Sequence, residues 1–253
     1  MTDEYDSTRE TWRRIWNEET DVARELKTLE YPRSLRIETL YLRFLQKEQP
    51  VLEAGCGLGR EVIRLDGRGY RIAGIDYAEE ALHRIVAYRR GYRLAAGDVH
   101  HLPFRDGAFG SCLSFGVLEH FATGPAAALR ETNRVLREGG VLVLILPYPN
   151  LVWRFLRLKR KWAGEPPVRP GFYETTYTVR DLEDQLNGAG FQVVERHPIG
   201  HSFTLWGLGG LFRGGGYYET SALSEGLGAV LQRVLPWPMC FESLIVARKA
   251  YAA

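Results

Sequence analysis

The chain has 253 residues, enough for one large domain or one domain with an elaborated lid. Its 45% hydrophobic and 25% charged residues exclude wholesale disorder, and its longest aliphatic run, Val141 to Leu146, excludes a bilayer-crossing helix, which needs roughly 20 apolar residues. A net charge of +2, three scattered cysteines (Cys56, Cys112, Cys240) and an acidic start without an apolar stretch argue against nucleic acid, a disulfide framework, a zinc site and secretion, and point to a cytoplasmic protein. The charge is uneven. Residues 1–30 hold nine acids against five bases, whereas residues 151–170 hold six bases against one acid.

In chain order, Ser7-Thr8-Arg9-Glu10 is a capping-box pattern, with Trp12, Ile15 and Trp16 at helical spacing behind it. Pro32 interrupts, and a second helix is expected from about Ser34 to Gln46, with Leu35, Leu42 and Leu45 as core candidates. From Pro50 short apolar runs alternate with helical stretches. Strands are expected at Val51–Ala54, Arg71–Ile75, Tyr92–Ala96, Phe109–Phe115 and Gly140–Leu146, and helices near Arg60–Asp66, Glu79–Arg89 and Ala126–Arg137. This rhythm implies βαβ units and a parallel sheet. It breaks after Pro147 and resumes with a helix capped by Thr178-Val179-Arg180-Asp181 and running to about Asn187. A sixth strand is expected at Phe191–Glu195 and a last one at Phe241–Arg248, as an antiparallel edge pair; residues 200–238, rich in Gly and aromatics, carry no clear assignment.

Glu53-Ala54-Gly55-Cys56-Gly57-Leu58-Gly59 sits between a strand and a helix. Glycines there let the backbone turn tightly and approach a ligand, and the helix behind them offers unpaired N–H groups. Two carboxylates fall at the ends of the next two strands. Asp76, 21 residues after Gly55, can accept both hydroxyls of a ribose, and Asp98 can accept from an adenine amino group. A dinucleotide fingerprint needs a third glycine where this chain has Arg60, and a pyrophosphate would be repelled by Glu53; a sulfonium and an ammonium would tolerate that carboxylate.

These segments resemble the class I S-adenosylmethionine-dependent methyltransferases. Val51 to Gly59 is similar to the family's first motif, Gly74-Ile75-Asp76-Tyr77 to the second and Gly97-Asp98-Val99-His100-His101-Leu102-Pro103-Phe104 to the third. Ser114-Phe115-Gly116-Val117-Leu118-Glu119-His120-Phe121 is similar to the fourth, and Arg134 to Gly140 to the segment before the fifth strand. The resemblance implies an α/β Rossmann-like doubly wound sheet of seven mostly parallel strands with an antiparallel last strand and helices on both faces. It implies S-adenosyl-L-methionine as cofactor and S-adenosyl-L-homocysteine as product. Gly55, Cys56, Gly57 and Gly59 would line the methionine side with Glu53 shaping the pocket, and Asp76 would bind the ribose. Tyr77 would pack near the adenine, Asp98 and the Val99 backbone would read its edge, and the Phe115 carbonyl would meet the ammonium. The fourth motif resembles the branch acting on small metabolites, lipids, quinones and sugars; the Asn/Asp-Pro-Pro-Tyr/Phe tetrapeptide of many nucleic-acid amino-methylating enzymes is absent.

Methyl transfer needs nucleophile, methyl and sulfur held in line, and a hydroxyl or protonated amine must also lose a proton. His120 is the candidate base. His197 and His201 are expected to lack a carboxylate partner and to hold no metal. The domain reading is a single unit over 1–253, with 1–47 as an N-terminal helical lid and 148–176 plus 200–238 as insertions on the acceptor side; Trp12, Trp16 and Tyr5 are the lid candidates. Leu151, Phe155, Leu158 and Trp162 form one helical stripe, flanked by Arg154, Arg157 and Lys161. Such a helix lies on an anionic membrane, meets an anionic acceptor, or exposes a charged face over an ordinary core. The acceptor is expected to be a small or lipid-like molecule methylated on O or N, with peripheral membrane contact through Leu151–Trp162 and oligomerisation left open. The alternatives are a soluble glycan precursor or polar metabolite, and a cofactor-binding protein without transferase activity.

Overall fold

The computed structural model describes residues 10–16, 20–164 and 174–251. The cap at Ser7 to Arg9, the lid candidate Tyr5 and the prolines 166, 167 and 170 lie outside the described residues. Seven strands form one sheet: β1 (Val51–Ala54), β2 (Ile72–Asp76), β3 (Arg93–Ala96), β4 (Phe109–Phe115), β5 (Leu136–Pro147), β6 (Phe191–Ile199) and β7 (Glu242–Lys249). Their order is β3-β2-β1-β4-β5-β7-β6, with β1 to β5 pairing in parallel and β7 antiparallel to both β5 and β6. The described helices are α1 (Val22–Thr28), α2 (Pro32–Leu42), α3 (Arg60–Gly67), α4 (Glu79–Tyr88), α5 (Ala126–Val135), α6 (Leu151–Trp162), α7 (Val179–Gly188), α8 (His201–Trp206) and α9 (Ala222–Val234).

Side chains alternate across a strand, so the aliphatic run of β5 feeds two cores. Leu142, Leu144 and Leu146 pack with Leu129 of α5 and Leu182 and Leu186 of α7. Val141, Val143 and Ile145 face the other way, into Tyr41 of α2, Val62 and Leu65 of α3 and Ile85 of α4. Each such fully buried aliphatic side chain stabilises the fold by about 1.5–3 kcal/mol. Helices on both faces thus fix the sheet and leave its strand ends to carry loops.

Several expectations shift. Pro32 starts α2 rather than preceding it, because its fixed φ and missing N–H suit the first helical position. The buried half of that helix is its C-terminal end, where Tyr41 meets the sheet, so Leu35 in the first turns is 38% exposed and is no core residue. β5 begins four residues earlier than Gly140, and β6 runs on to Ile199. The unassigned stretch 200–238 contains α8 and α9. The Thr178 cap forms as expected: Asp181 N–H donates to Thr178 Oγ1 at 3.2 Å and Thr178 N–H donates to Asp181 Oδ2 at 3.0 Å. His197 does have a carboxylate partner, with Nε2 2.6 Å from Glu195 Oε2, because residues two apart on a strand share a face. His201 donates to the Pro236 carbonyl at 2.7 Å, and its burial lowers its pKa.

Among the described residues no helix is long and apolar enough to cross a membrane. Among them also, no three His, Cys, Asp or Glu side chains are grouped to hold a metal ion.

Candidate active site

The C-terminal ends of β1, β2 and β3 are tied to one another by the backbone, and that of β4 to β5. Gly55 and Cys56 N–H donate to the Ile75 carbonyl at 2.8 and 3.0 Å, Gly97 N–H to the Asp76 carbonyl at 3.0 Å, and Gly116 N–H to the Ile145 carbonyl at 3.0 Å. The loops that leave these ends enclose a cleft of about 240 Å³. Glu53, Gly55, Cys56 and Gly57 line it from the β1 loop, Asp76 and Tyr77 from β2, Asp98 and Val99 from β3, and Phe115 and His120 from β4. Ligands of open α/β sheets bind at this edge.

Gly59 is not part of the lining. It opens α3 with φ +70°, and a Cβ there would lie 2.6 Å from Ile85 Cδ1 of α4, so close helix packing explains that glycine. Gly55 is the tighter position: φ is +82° and a Cβ would sit 2.3 Å from Val117 Cγ2 in the opposite wall.

Asp76 is buried, and its carboxylate organises the loop. Oδ2 accepts from Gly57 N–H at 2.7 Å and Oδ1 from Ala78 N–H at 2.9 Å. Burial raises its pKa, while backbone donors at Ala78, Gly57 and Tyr77 oppose the rise. Two carboxylate oxygens offer about four lone-pair sites, so acceptor capacity remains beside these backbone donors for a ligand hydroxyl. Glu53 Oε2 accepts from Val62 N–H of α3 at 3.0 Å, and burial, with Glu61 adding, pushes its carboxyl well above the usual range. Burial also pushes the Cys56 thiol far up, which makes it an inert wall. Asp98 Oδ1 accepts from the His100 N–H at 2.8 Å and lies 2.7 Å from its Nδ1. His101 is exposed.

The roof is the helical segment 10–16. Trp12 and Trp16 stack with centroids 5.0 Å apart, and Trp12 meets the His120 ring edge-on at 5.3 Å. A Cβ on Gly57 would come within 2.8 Å of Trp16 Cζ2, so the indole lies directly on the loop. Arg13 Nε donates to Glu80 Oε1 of α4 at 2.9 Å and ties the roof to the sheet. Glu25, Leu58, Arg60, Gly116, Val117 and Phe121 complete the lining. Of these, Leu58, Arg60, Gly116, Val117 and Phe121 sit inside or beside the segments already singled out, so their neighbours were the available signal. Glu25 comes from α1 and had none.

Glu53, Asp76 and Asp98 make this a cleft that accepts hydrogen bonds. A ligand with vicinal hydroxyls, an exocyclic amine and a cationic tail matches it, whereas a pyrophosphate would face four acidic side chains, Glu25 included, against the guanidinium of Arg60.

The basic helix α6 differs from a core helix. Asn150 caps it by accepting from Trp153 N–H at 2.9 Å, and Leu151 N–H donates to the Pro238 carbonyl at 2.9 Å. Beyond that base no residue of it is buried; Phe155 is 66% and Trp162 82% exposed. Leu223, Leu227, Val230 and Val234 form a second exposed apolar stripe on α9.

Residues 52–144 match the methyltransferase domain family. An uncharacterized protein of Mycobacterium tuberculosis (strain ATCC 25618 / H37Rv) is 35% identical over 181 residues, 72% of this chain and 57% of that protein. The chain therefore spans little more than half the length of that relative. A protein of Mycolicibacterium smegmatis named a probable S-adenosylmethionine-dependent methyltransferase is 29% identical over 209 residues, 80% of this chain and 73% of that protein. In fold, the chain is similar to the crystal structure of a SAM-dependent methyltransferase from Methanosarcina mazei, with a TM-score of 0.61, 17% identity, and 84% and 98% of the two chains covered.

Proposed function

The chain belongs to the class I S-adenosylmethionine-dependent methyltransferases, whose methyl donor is S-adenosylmethionine, and we propose that it transfers a methyl group to an O or N atom of a small or membrane-associated metabolite. The observation that carries this reading is the convergence of Glu53, Asp76, Asp98 and Phe115 from four strand ends on one cleft. When bound, S-adenosylmethionine supplies a methyl group already activated on a sulfonium. Asp76 holds the ribose hydroxyls with its free lone pairs. Asp98 and the Val99 N–H read the adenine edge, and Tyr77 packs beside it. The Phe115 carbonyl and the glycine loop, braced by Glu53, hold the methionine end. His120 Nε2 takes the acceptor's proton at the open side of the cleft, and Trp12 and Trp16 exclude water above it.

The test is methyl-labelled S-adenosylmethionine with a source-cell extract, the product being partitioned between organic and aqueous phases, with calorimetry of S-adenosylhomocysteine alongside. Binding of S-adenosylhomocysteine and label that Asp76→Ala abolishes are expected. Binding of NADH instead would overturn the reading in favour of a dinucleotide enzyme. S-adenosylhomocysteine binding with no labelled product would leave a cofactor-binding protein.

One observation favours a membrane-associated acceptor. The stripe Leu151, Phe155, Leu158 and Trp162 is exposed on a helix that also carries Arg154, Arg157, Lys159, Arg160 and Lys161. Apolar side chains beside a one-sign basic face complement an anionic lipid surface in both chemistry and charge. Phosphatidylglycerol vesicles should retain the protein and phosphatidylcholine vesicles should not. Equal failure on both, with label in the aqueous phase, would overturn the membrane contact.

A further inference from the structure

Beside the donor cleft lies a larger cavity of about 430 Å³, and Trp12, Trp16, Gly116 and His120 line both. Its far wall is aromatic. Phe203 and Trp206 stack at 4.8 Å, Trp206 meets Tyr218 at 5.3 Å, and Tyr217 meets Tyr218 at 4.4 Å. Ring faces carry negative charge density and attract cations; Arg33 Cζ already lies 4.5 Å from the Phe203 centroid and Arg213 Cζ 4.2 Å from that of Trp206, so Tyr218 is the ring of this wall that meets a ligand cation.

Charge in the cavity points the same way. Glu25, Glu119, Glu174 and Glu242 face Arg33 and Arg60. Arg33 is engaged only in part: Nη2 lies 2.5 Å from Glu242 Oε2, whereas its Nε is buried without a partner and would take an acceptor atom of a ligand. Arg60 Nε lies 3.5 Å from Glu61 Oε1. The decisive group is Glu119. Its residue is only 4% exposed, and Oε2 is buried with no hydrogen-bond partner. Oε1 lies 3.9 Å from His120 Nε2, too far for a hydrogen bond. Buried carboxylate oxygens are normally satisfied, so an orphan at a cavity wall marks a place for a donor. Burial, with Glu174 and Glu242 behind it, pushes this carboxyl well above the usual range, and a cation placed opposite would bring it back down.

We propose that this cavity is the acceptor site and that it selects a cationic amine, held between the Tyr218 ring and the Glu119 carboxylate and methylated on nitrogen. The inference rests on the methyltransferase reading and narrows its O-or-N choice to N. In the step, the ammonium gives one proton to His120 Nε2, and the freed nitrogen lone pair forms the new N–C bond. The old C–S bond breaks with its electrons going to sulfur, and the product leaves as the methylated ammonium. The imidazolium left behind faces Glu119.

The probes are choline and its neutral carbon isostere 3,3-dimethylbutan-1-ol, titrated against the whole chain and read by the fluorescence of Trp12, Trp16 and Trp206. Choline should bind about tenfold or more tightly than the alcohol, the size expected of cation–π and charge together. Glu119→Gln should remove most of that preference, and Tyr218→Leu part of it. Equal binding of the two probes to the wild-type chain overturns the inference without any variant, and so does a preference that survives in Glu119→Gln. S-adenosylhomocysteine calorimetry on the same preparation separates the two readings. Failure to bind it overturns the methyltransferase reading and this one together; binding it without a choline preference overturns this one alone.

Discussion

The donor cleft and the acceptor cavity share a wall but are built differently. The cleft is made of successive strand ends, and its key groups, Glu53, Asp76 and Asp98, each sit within a few residues of a strand that hydrogen bonds to its neighbour. The cavity draws Tyr31 and Arg33 from the N-terminal side, Glu119 from the turn after β4, and Phe203, Trp206 and Tyr218 from α8 and beyond. One region is a property of the sheet. The other is a property of what the chain lays over it, and there the groups are half satisfied: Glu119 Oε2 and Arg33 Nε are both buried without partners. Segments free to vary over a fixed sheet are where acceptor choice resides.

The largest effect should come from Asp76→Ala, which removes a buried carboxylate that holds the glycine loop and is proposed to hold two hydroxyls. S-adenosylhomocysteine affinity should fall by about 3–4 kcal/mol, several hundred-fold, in calorimetry. Retained affinity would break the claim that the strand-end region is the donor site. His120→Asn should cut kcat by about 100-fold while changing S-adenosylhomocysteine affinity by less than about threefold, because His120 is placed to take the acceptor's proton while donor binding rests on Glu53, Asp76 and Asp98. Equal losses in both would merge the two roles. Gly55→Ala should destabilise the fold by about 2 kcal/mol in denaturant melts, since an L side chain at φ +82° is strained and would drive into Val117.

Glu119 sharpens the comparison through pH. A carboxyl whose folded pKa is raised contributes stability that is full below its unfolded pKa and is lost as pH climbs through the folded value. Glu119, Glu53 and Asp76 are all raised, so thermal stability should decline as pH rises from the ordinary carboxylate range, about 4.5, toward neutrality and beyond. Glu119→Gln should flatten that decline, measured as Tm against pH from about 4.5 upward. An unchanged slope would assign the titration to the donor cleft. The smallest effect on the fold should come from Phe155→Ser with Trp162→Ser on α6. Both are exposed, so stability should move by less than about 0.5 kcal/mol while retention on phosphatidylglycerol vesicles is lost.

The strand-end cleft was legible because its residues follow local rules. A glycine loop after an apolar run, and acids closing the next two strands, are spacings that backbone geometry imposes within a βαβ unit. Gly59 belongs to the same motif yet packs against Ile85, since the motif constrains both the loop and the helix behind it. Glu25, Tyr31 and Tyr218 gave no comparable signal. They reach the cavity from segments far apart in the chain, without shared periodicity, and an aromatic in a glycine-rich stretch reads as packing. The Glu195–His197 pair was missed for a related reason: the strand was expected to end at Glu195, and only the longer β6 puts the two side chains on one face.

The sequence by itself determined the sheet and the loops at its strand ends, because period-two and period-3.6 burial and the glycine turns are set by neighbours along the chain. Tertiary structure alone decided that Trp16 lies on Gly57, that Glu119 Oε2 is buried without a partner, and that the apolar stripe of α6 stays exposed. Those outcomes depend on which distant surfaces meet. Packing of that kind follows from the shape of the whole molecule and leaves no repeat in the residues that make it.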